Sequence, residues 1–148
     1  MDRGPGDQVH AALFPRRREL VLEASLRRRP AELARIVTHE YFHLVWIRLG
    51  NPARRQWEAV LLGELAAGAR GELGWSAEWR KGLITLADRT ARSRRWRLYA
   101  CESFCDTAAF LYAGIPEHEE FTLRPRFRFA RQSWFRTLER HLGGVFRV

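Results

Sequence analysis

Apolar and polar positions alternate near the start of the chain and then change to a helical period. The stretches "VHAALF", residues 9–14, and "ELVLEASL", residues 19–26, predict two short strands joined through "FPRRR", the second setting Leu20, Leu22, Ala24 and Leu26 on one face. From Pro30 the spacing is that of a helix. "PAELARIVTHEYFHLVWIRLG" opens on a proline, carries Glu32 in the first turn and stops at Gly50-Asn51-Pro52, which predicts a helix over 30–49. A second helix is predicted over 53–67, ended by the glycine-punctuated "AGARGELGWS". Trp75, Trp79 and Leu83 predict a short third helix, and "TLADRTARSRRWRLYACESFCDTAAFLYAG" a single long one closing at Gly114. A last helix follows over 126–142, and "GGVFRV" reads as a loop and a final short strand. The order is that of an α+β fold, mostly helical with a small β-sheet, in one domain over 1–148 without repeat or linker.

Composition narrows the class. With 46% hydrophobic and 29% charged residues, the 148-residue chain can bury a core of its own, which excludes a disordered tail. No apolar run approaches the ~18 residues of a membrane span, so no membrane partner is expected. The opening "MDRGPGDQVH" lacks the apolar stretch of a signal peptide, and two cysteines, Cys101 and Cys105, make no disulfide framework. A cytoplasmic protein is therefore expected. The net charge of +9 raises the question of nucleic acid. Lys81 is the only lysine, however, and the arginines are scattered in short runs such as "PRRRE", "LRRRP", "ARRQW" and "SRRWR". That is a solvated basic surface whose field attracts polyanions without specifying one.

The chemistry lies in "HEYFH". Four residues apart on a helix, His39 and His43 present their imidazoles on one face, at a spacing that lets both hold one zinc ion. Glu40 stands about 100° round from His39, beside such a metal instead of on it, where it can take a proton from zinc-bound water. A catalytic zinc needs a third protein ligand and an open position for water. The metzincin extension would require Gly and His where this chain has Trp46 and Leu49, so the ligand must come from elsewhere. "CESFCDT" offers it: Glu102 and Asp106 are four apart, Glu102 able to bind zinc and Asp106 able to accept a hydrogen bond from the far nitrogen of a ligating histidine. Cys105 is a rival, since a thiolate there could compete for a soft metal. Glu64 has no acidic partner four residues on and reads as a solvated residue at the core edge.

With "HEYFH" and "ESFCD" together, the chain resembles the gluzincin metallopeptidases, the group that includes thermolysin and neprilysin, whose signature is HExxH followed by ExxxD on a later helix. The 58 residues between His43 and Glu102 exceed the thermolysin interval and are similar to that of the neprilysin branch. The resemblance implies a zincin-like fold of minimal size, with His39, His43 and Glu102 as zinc ligands, Glu40 as general base and Asp106 as the partner of His39. It extends upstream to a substrate-binding edge strand followed by another strand and the HExxH helix. "HAALF" is similar, with His10 where such strands carry Asn, and it puts substrate against Ala11 and Ala12.

A metallopeptidase also needs a donor for the developing oxyanion. Tyr99, Tyr112, His118 and His141 are chemically able, and no motif chooses among them. The short apolar "GGVFRV" is able to add to a sheet edge, and minimal gluzincins are similar in covering the cleft with their own termini. The expectation is a zinc-dependent hydrolase of peptide bonds acting on a peptide or protein. The alternative is a zinc-stabilised, non-catalytic binding module for nucleic acid or protein.

Overall fold

The computed structural model describes residues 11–148. They begin with a hairpin in which β1, Ala11–Phe14, pairs antiparallel with β2, Glu19–Leu22, Ala11 opposite Leu22 and Phe14 opposite Glu19. Arg17 N–H donates to the Phe14 carbonyl at 3.0 Å to close the turn, and Arg18 leaves it with a left-handed φ of 52°. Residues 9 and 10 of the predicted first strand lie outside the described residues. The second strand is shorter than its alternation predicts. Ala24–Arg28 coil into a 3-10 turn that packs against the following helix and buries Leu26, so that side chain reaches the core from a helix instead of a sheet face.

Six helices follow: α1, Pro30–Arg48; α2, Asn51–Ala66; α3, Trp75–Lys81; α4, Leu86–Ala91; α5, Arg94–Tyr112; and α6, Pro125–His141. With the hairpin they make a mostly helical α+β domain. Pro52 lies in the first turn of α2 instead of beyond the end of α1, a place where its missing N–H costs nothing. Only Leu49 and Gly50 separate the two helices, and Arg54 bridges them by donating to the carbonyls of Trp46 and Ile47 at 2.7 and 2.9 Å. The single long helix predicted over 85–114 is two. Thr85 and Asp88 form a capping box for α4, Arg92 turns left-handed at a φ of 47°, and the Ser93 hydroxyl then accepts from Trp96 N–H as the cap of α5. A serine able to satisfy orphan amide groups there outweighs a helical hydrophobic period that continues through it.

The core is built on α1 and α5. His39 meets Asp106 and His43 meets Glu102, so the two helices run antiparallel. Phe42 and Val45 of α1, Trp57 and Leu61 of α2, Phe104 and Ala108 of α5 and Phe135 of α6 fill the space between them. Trp57 and Trp96 are fully buried, each worth about 4–6 kcal/mol of gross apolar burial before entropy is counted, and their indole N–H groups donate to the Ala100 carbonyl and to Glu58. A second cluster, Leu73, Phe121, Leu123 and Phe127, closes the other end. No helix among the described residues is long and apolar enough to cross a membrane.

The C-terminal segment forms no strand. Gly143 and Gly144 both take left-handed φ, and the chain beyond them lies against α1, with the Phe146 ring 4.9 Å from Phe42 and the Tyr41 hydroxyl donating to the Phe146 carbonyl at 2.7 Å. Tyr41 is about 200° round the helix from His39. The tail therefore lies along the side of α1 that carries Tyr41 and Phe42 and reaches the hairpin, where Arg18 donates to the Val148 carbonyl at 3.5 Å.

Candidate metal centre

Three ligand-type groups converge where α1 crosses α5. Nε2 of His39 lies 3.2 Å from Nε2 of His43 and 3.2 Å from the Glu102 carboxylate, which is itself 3.5 Å from Nε2 of His43. Four-residue spacing on each helix produces this, because both pairs face the same seam. Metal–ligand bonds of about 2.0–2.1 Å at the tetrahedral angle would put neighbouring ligand atoms about 3.3–3.4 Å apart; the two imidazole nitrogens are near that spacing, and the Glu102 carboxylate meets each through a different oxygen, Oε2 towards His39 and Oε1 towards His43. Two imidazole lone pairs and a carboxylate facing one another repel unless a cation, proton or metal, lies among them.

The electrostatics say the same. Burial works against charge on His39, yet the adjacent Asp106 and Glu102 carboxylates outweigh it and hold the imidazolium well above its usual range. His43 is pushed up to about 10, burial again opposing and the Cys101 thiol and Glu102 prevailing. Burial raises Glu102, but the two histidines hold its carboxyl well below the ordinary glutamate range. The two histidines are thus held as cations by the groups packed beside them.

Asp106 orients His39. Its Oδ1 lies 2.7 Å from Nδ1 of His39, which turns the ring so that Nε2 faces His43 and Glu102. The second oxygen accepts from Ala77 N–H of α3 at 3.0 Å. The start of α3 also holds Glu102, through the Ser76 hydroxyl donating to Oε2 at 2.8 Å, while Arg80 donates to that hydroxyl at 2.9 Å. This close approach needs Gly74, where a Cβ would stand 2.2 Å from the carboxylate carbon of Asp106. The segment leading into Gly74 is anchored by Glu72, whose carboxylate is gripped by Arg131 of α6 at 2.6 and 2.9 Å and accepts from the Tyr99 hydroxyl. The same guanidinium takes Glu64 at 2.7 and 2.8 Å.

Glu40 lies beside this group on α1, half-buried and without a hydrogen-bond or ion-pair partner among the described residues. Ala11 and Ala12 are half-buried in β1, which packs against α1 and has one edge unpaired among the described residues; His10 lies outside those residues. Cys105 Sγ and one nitrogen of each histidine fall within 4.8 Å of one another, a looser set than the one with Glu102. Burial pushes the Cys105 thiol up, away from the thiolate a metal would bind. The thiol that touches a histidine is Cys101, 3.5 Å from Nδ1 of His43.

The four donors considered for an oxyanion are used otherwise. Tyr99 is fully buried on Glu72, Tyr112 stacks on Phe42, His118 pairs with Glu32 at 2.9 Å, and His141 ends α6 at the surface. Glu64, expected at the solvated edge, is buried, because Arg131 neutralises it. Ser76, Gly74 and Arg131 carry no motif. Only contacts between distant parts of the chain reveal them. Comparison with protein-family models, with curated proteins and with solved structures finds no match to this chain.

Proposed function

We propose that the chain is a zinc-dependent peptidase of the gluzincin kind, a hydrolase acting on peptides or proteins in the cytoplasm, where its two thiols stay reduced. The observation that carries the reading is the 3.2–3.5 Å approach of His39, His43 and the Glu102 carboxylate, with Glu40, unpartnered among the described residues, next to His39 on α1. Three protein ligands leave a tetrahedral ion one open position, which a structural site would fill. Zinc held there would acidify a water molecule and polarise a substrate carbonyl.

The chain's own residues do the rest. Asp106 fixes the tautomer of His39, and Ser76 fixes the rotamer of Glu102. Glu40 accepts the proton of the attacking water and delivers it to the leaving amine. Ala11 and Ala12 lie on a strand with an open edge, which can take an extended peptide by backbone pairing.

Glu40→Gln tests the reading. It keeps the shape and removes the base, so the variant should bind one zinc, melt within a few degrees of the wild type and cleave a peptide library at least ~100-fold more slowly. If the wild type shows no chelator-sensitive cleavage across such a library, and binds nucleic acid with a steep salt dependence that Glu40→Gln leaves unchanged, the chain is instead a zinc-stabilised, non-catalytic binding module.

A further inference from the structure

Next to the metal centre, where α1 ends and α5 begins, the surface opens into a cavity of about 540 Å³. Five arginines line it, Arg54, Arg55, Arg92, Arg94 and Arg97, against a single acid, Glu58. That acid is already spent. Its two oxygens take Arg92 at 3.0 and 2.9 Å and the Trp96 indole at 2.6 Å. Arg54 is held in place by the carbonyls of Trp46 and Ile47 and by the Trp46 ring, which direct its charge without neutralising it. Arg55, Arg94 and Arg97 are exposed and have no hydrogen-bond or ion-pair partner among the described residues.

Two of these charges stand where the fold disfavours them. Arg94 and Arg97 begin α5, a 19-residue helix with no acid in its first turn, so they add to the positive end of its dipole. Beyond the Glu58–Arg92 pair, nothing within the described chain relieves this concentration of like charge in a concave site. A bound anion would.

The cavity is also placed to act on substrate. Cys101 forms part of its wall and touches His43, and Trp46 stands one turn, about 5 Å, beyond His43 on α1. An extended chain advances about 3.3 Å per residue, so a peptide held at the metal centre would reach the cavity within one to three residues. We infer that this arginine-lined cavity is the specificity pocket of the proposed peptidase and selects peptides with an acidic side chain, aspartate or glutamate, a few residues from the bond to be cut. The enzymatic role rests on the metallopeptidase reading; the binding of acidic peptide rests on the cavity alone. The five arginines gather in one cavity beside His43, a localised site that favours a peptide carboxylate over a nucleic-acid backbone, which needs an extended basic track.

The test uses the full chain loaded with zinc and carrying Glu40→Gln, so that peptide is bound and not cleaved. The probes are a fluorescein-labelled decapeptide with three central glutamates, its glutamine counterpart and a single-stranded DNA oligonucleotide. Anisotropy at ~0.15 M salt, where surface charges beyond about 8 Å are screened, reads the binding. Arg55→Glu with Arg97→Glu should weaken the acidic peptide at least tenfold and leave the glutamine peptide unchanged. Arg124→Glu with Arg136→Glu, the same change in net charge on α6 and its approach, should shift it less than twofold. Equal loss in both pairs would reduce the effect to net charge and overturn the proposal, as would tighter, pocket-dependent binding of the oligonucleotide. Cleavage by the parent enzyme without preference for acidic peptides would also overturn it while leaving the peptidase reading intact. Pocket-dependent acidic binding without any zinc-dependent cleavage would sustain the pocket and remove the peptidase.

Discussion

Gly74 and Asp106 are in contact so close that no side chain fits between them: a Cβ on Gly74 would stand 2.2 Å from the carboxylate carbon. The backbone of α3 can donate to Asp106 only because that side chain is absent, and Asp106 in turn holds His39. Gly74→Ala should therefore push Asp106 from its seat. The expected cost is about 1–3 kcal/mol of stability, the usual range for overpacking, with weaker zinc binding. A thermal melt and a zinc titration read the two effects; a variant that loses neither would mean that α3 adjusts freely.

The identity of the third ligand separates two variants. Glu102→Ala should lose zinc by direct metal analysis, whereas Cys105→Ala should keep it, since the carboxylate lies within 3.5 Å of both histidines and the thiol set is looser. The opposite pattern would transfer the role to sulfur.

Removing the orienting carboxylate should be milder. Asp106→Asn leaves a group of the same size that no longer favours the Nδ1–H tautomer as strongly, and zinc affinity should fall by about 10 to 100-fold in a chain that still folds. Unchanged affinity would show that His39 is set by packing alone.

The buried arginine gives a stability prediction with a pH sign. Arg131 pairs with two buried carboxylates, so Arg131→Met should cost about 3–5 kcal/mol in chemical denaturation by leaving Glu64 and Glu72 with too little countercharge. Burial opposes the charge on Glu72, but Arg131 holds its carboxyl below the ordinary range. A depressed folded value means that the contribution is present above the unfolded glutamate range, near pH 4.3, and is lost as pH falls through the lower folded value. Wild-type stability should decline across that acid window, and Glu72→Gln should flatten the decline.

The tail carries a stability prediction. Phe146 packs on Phe42 and Tyr112 beside α1, so deleting 143–148 should lower the melting temperature instead of raising peptide cleavage. Increased cleavage at an unchanged melting temperature would restore the idea of a terminus covering the cleft.

The pairing of His39 with His43 and of Glu102 with Asp106 is local, each pair four residues apart on a helix, and the geometry of one turn is enough to put both on a seam. The break at Arg92 and Ser93 was hidden because the apolar period runs through it and a capping hydroxyl decides the matter. The second strand was overextended because Leu26 fits the alternating pattern but is buried by a 3-10 turn. Glu64, Glu72 and Arg131 could not be linked at all: their partners lie 59 and 67 residues apart, and nothing local distinguishes them from other surface charges.

The position of Arg131 also bears on the order in which the molecule becomes whole during synthesis. Ribosomes deliver α1 with its histidines before α6, and domains fold as units once their elements are available. Until α6 emerges, Glu72 has no guanidinium to accompany it into the interior, and the segment through Gly74 that seats Asp106 has no stable resting place. A nascent chain would thus carry His39, His43 and Glu102 before it could hold them in position, so their cluster would assemble only once α6 has emerged.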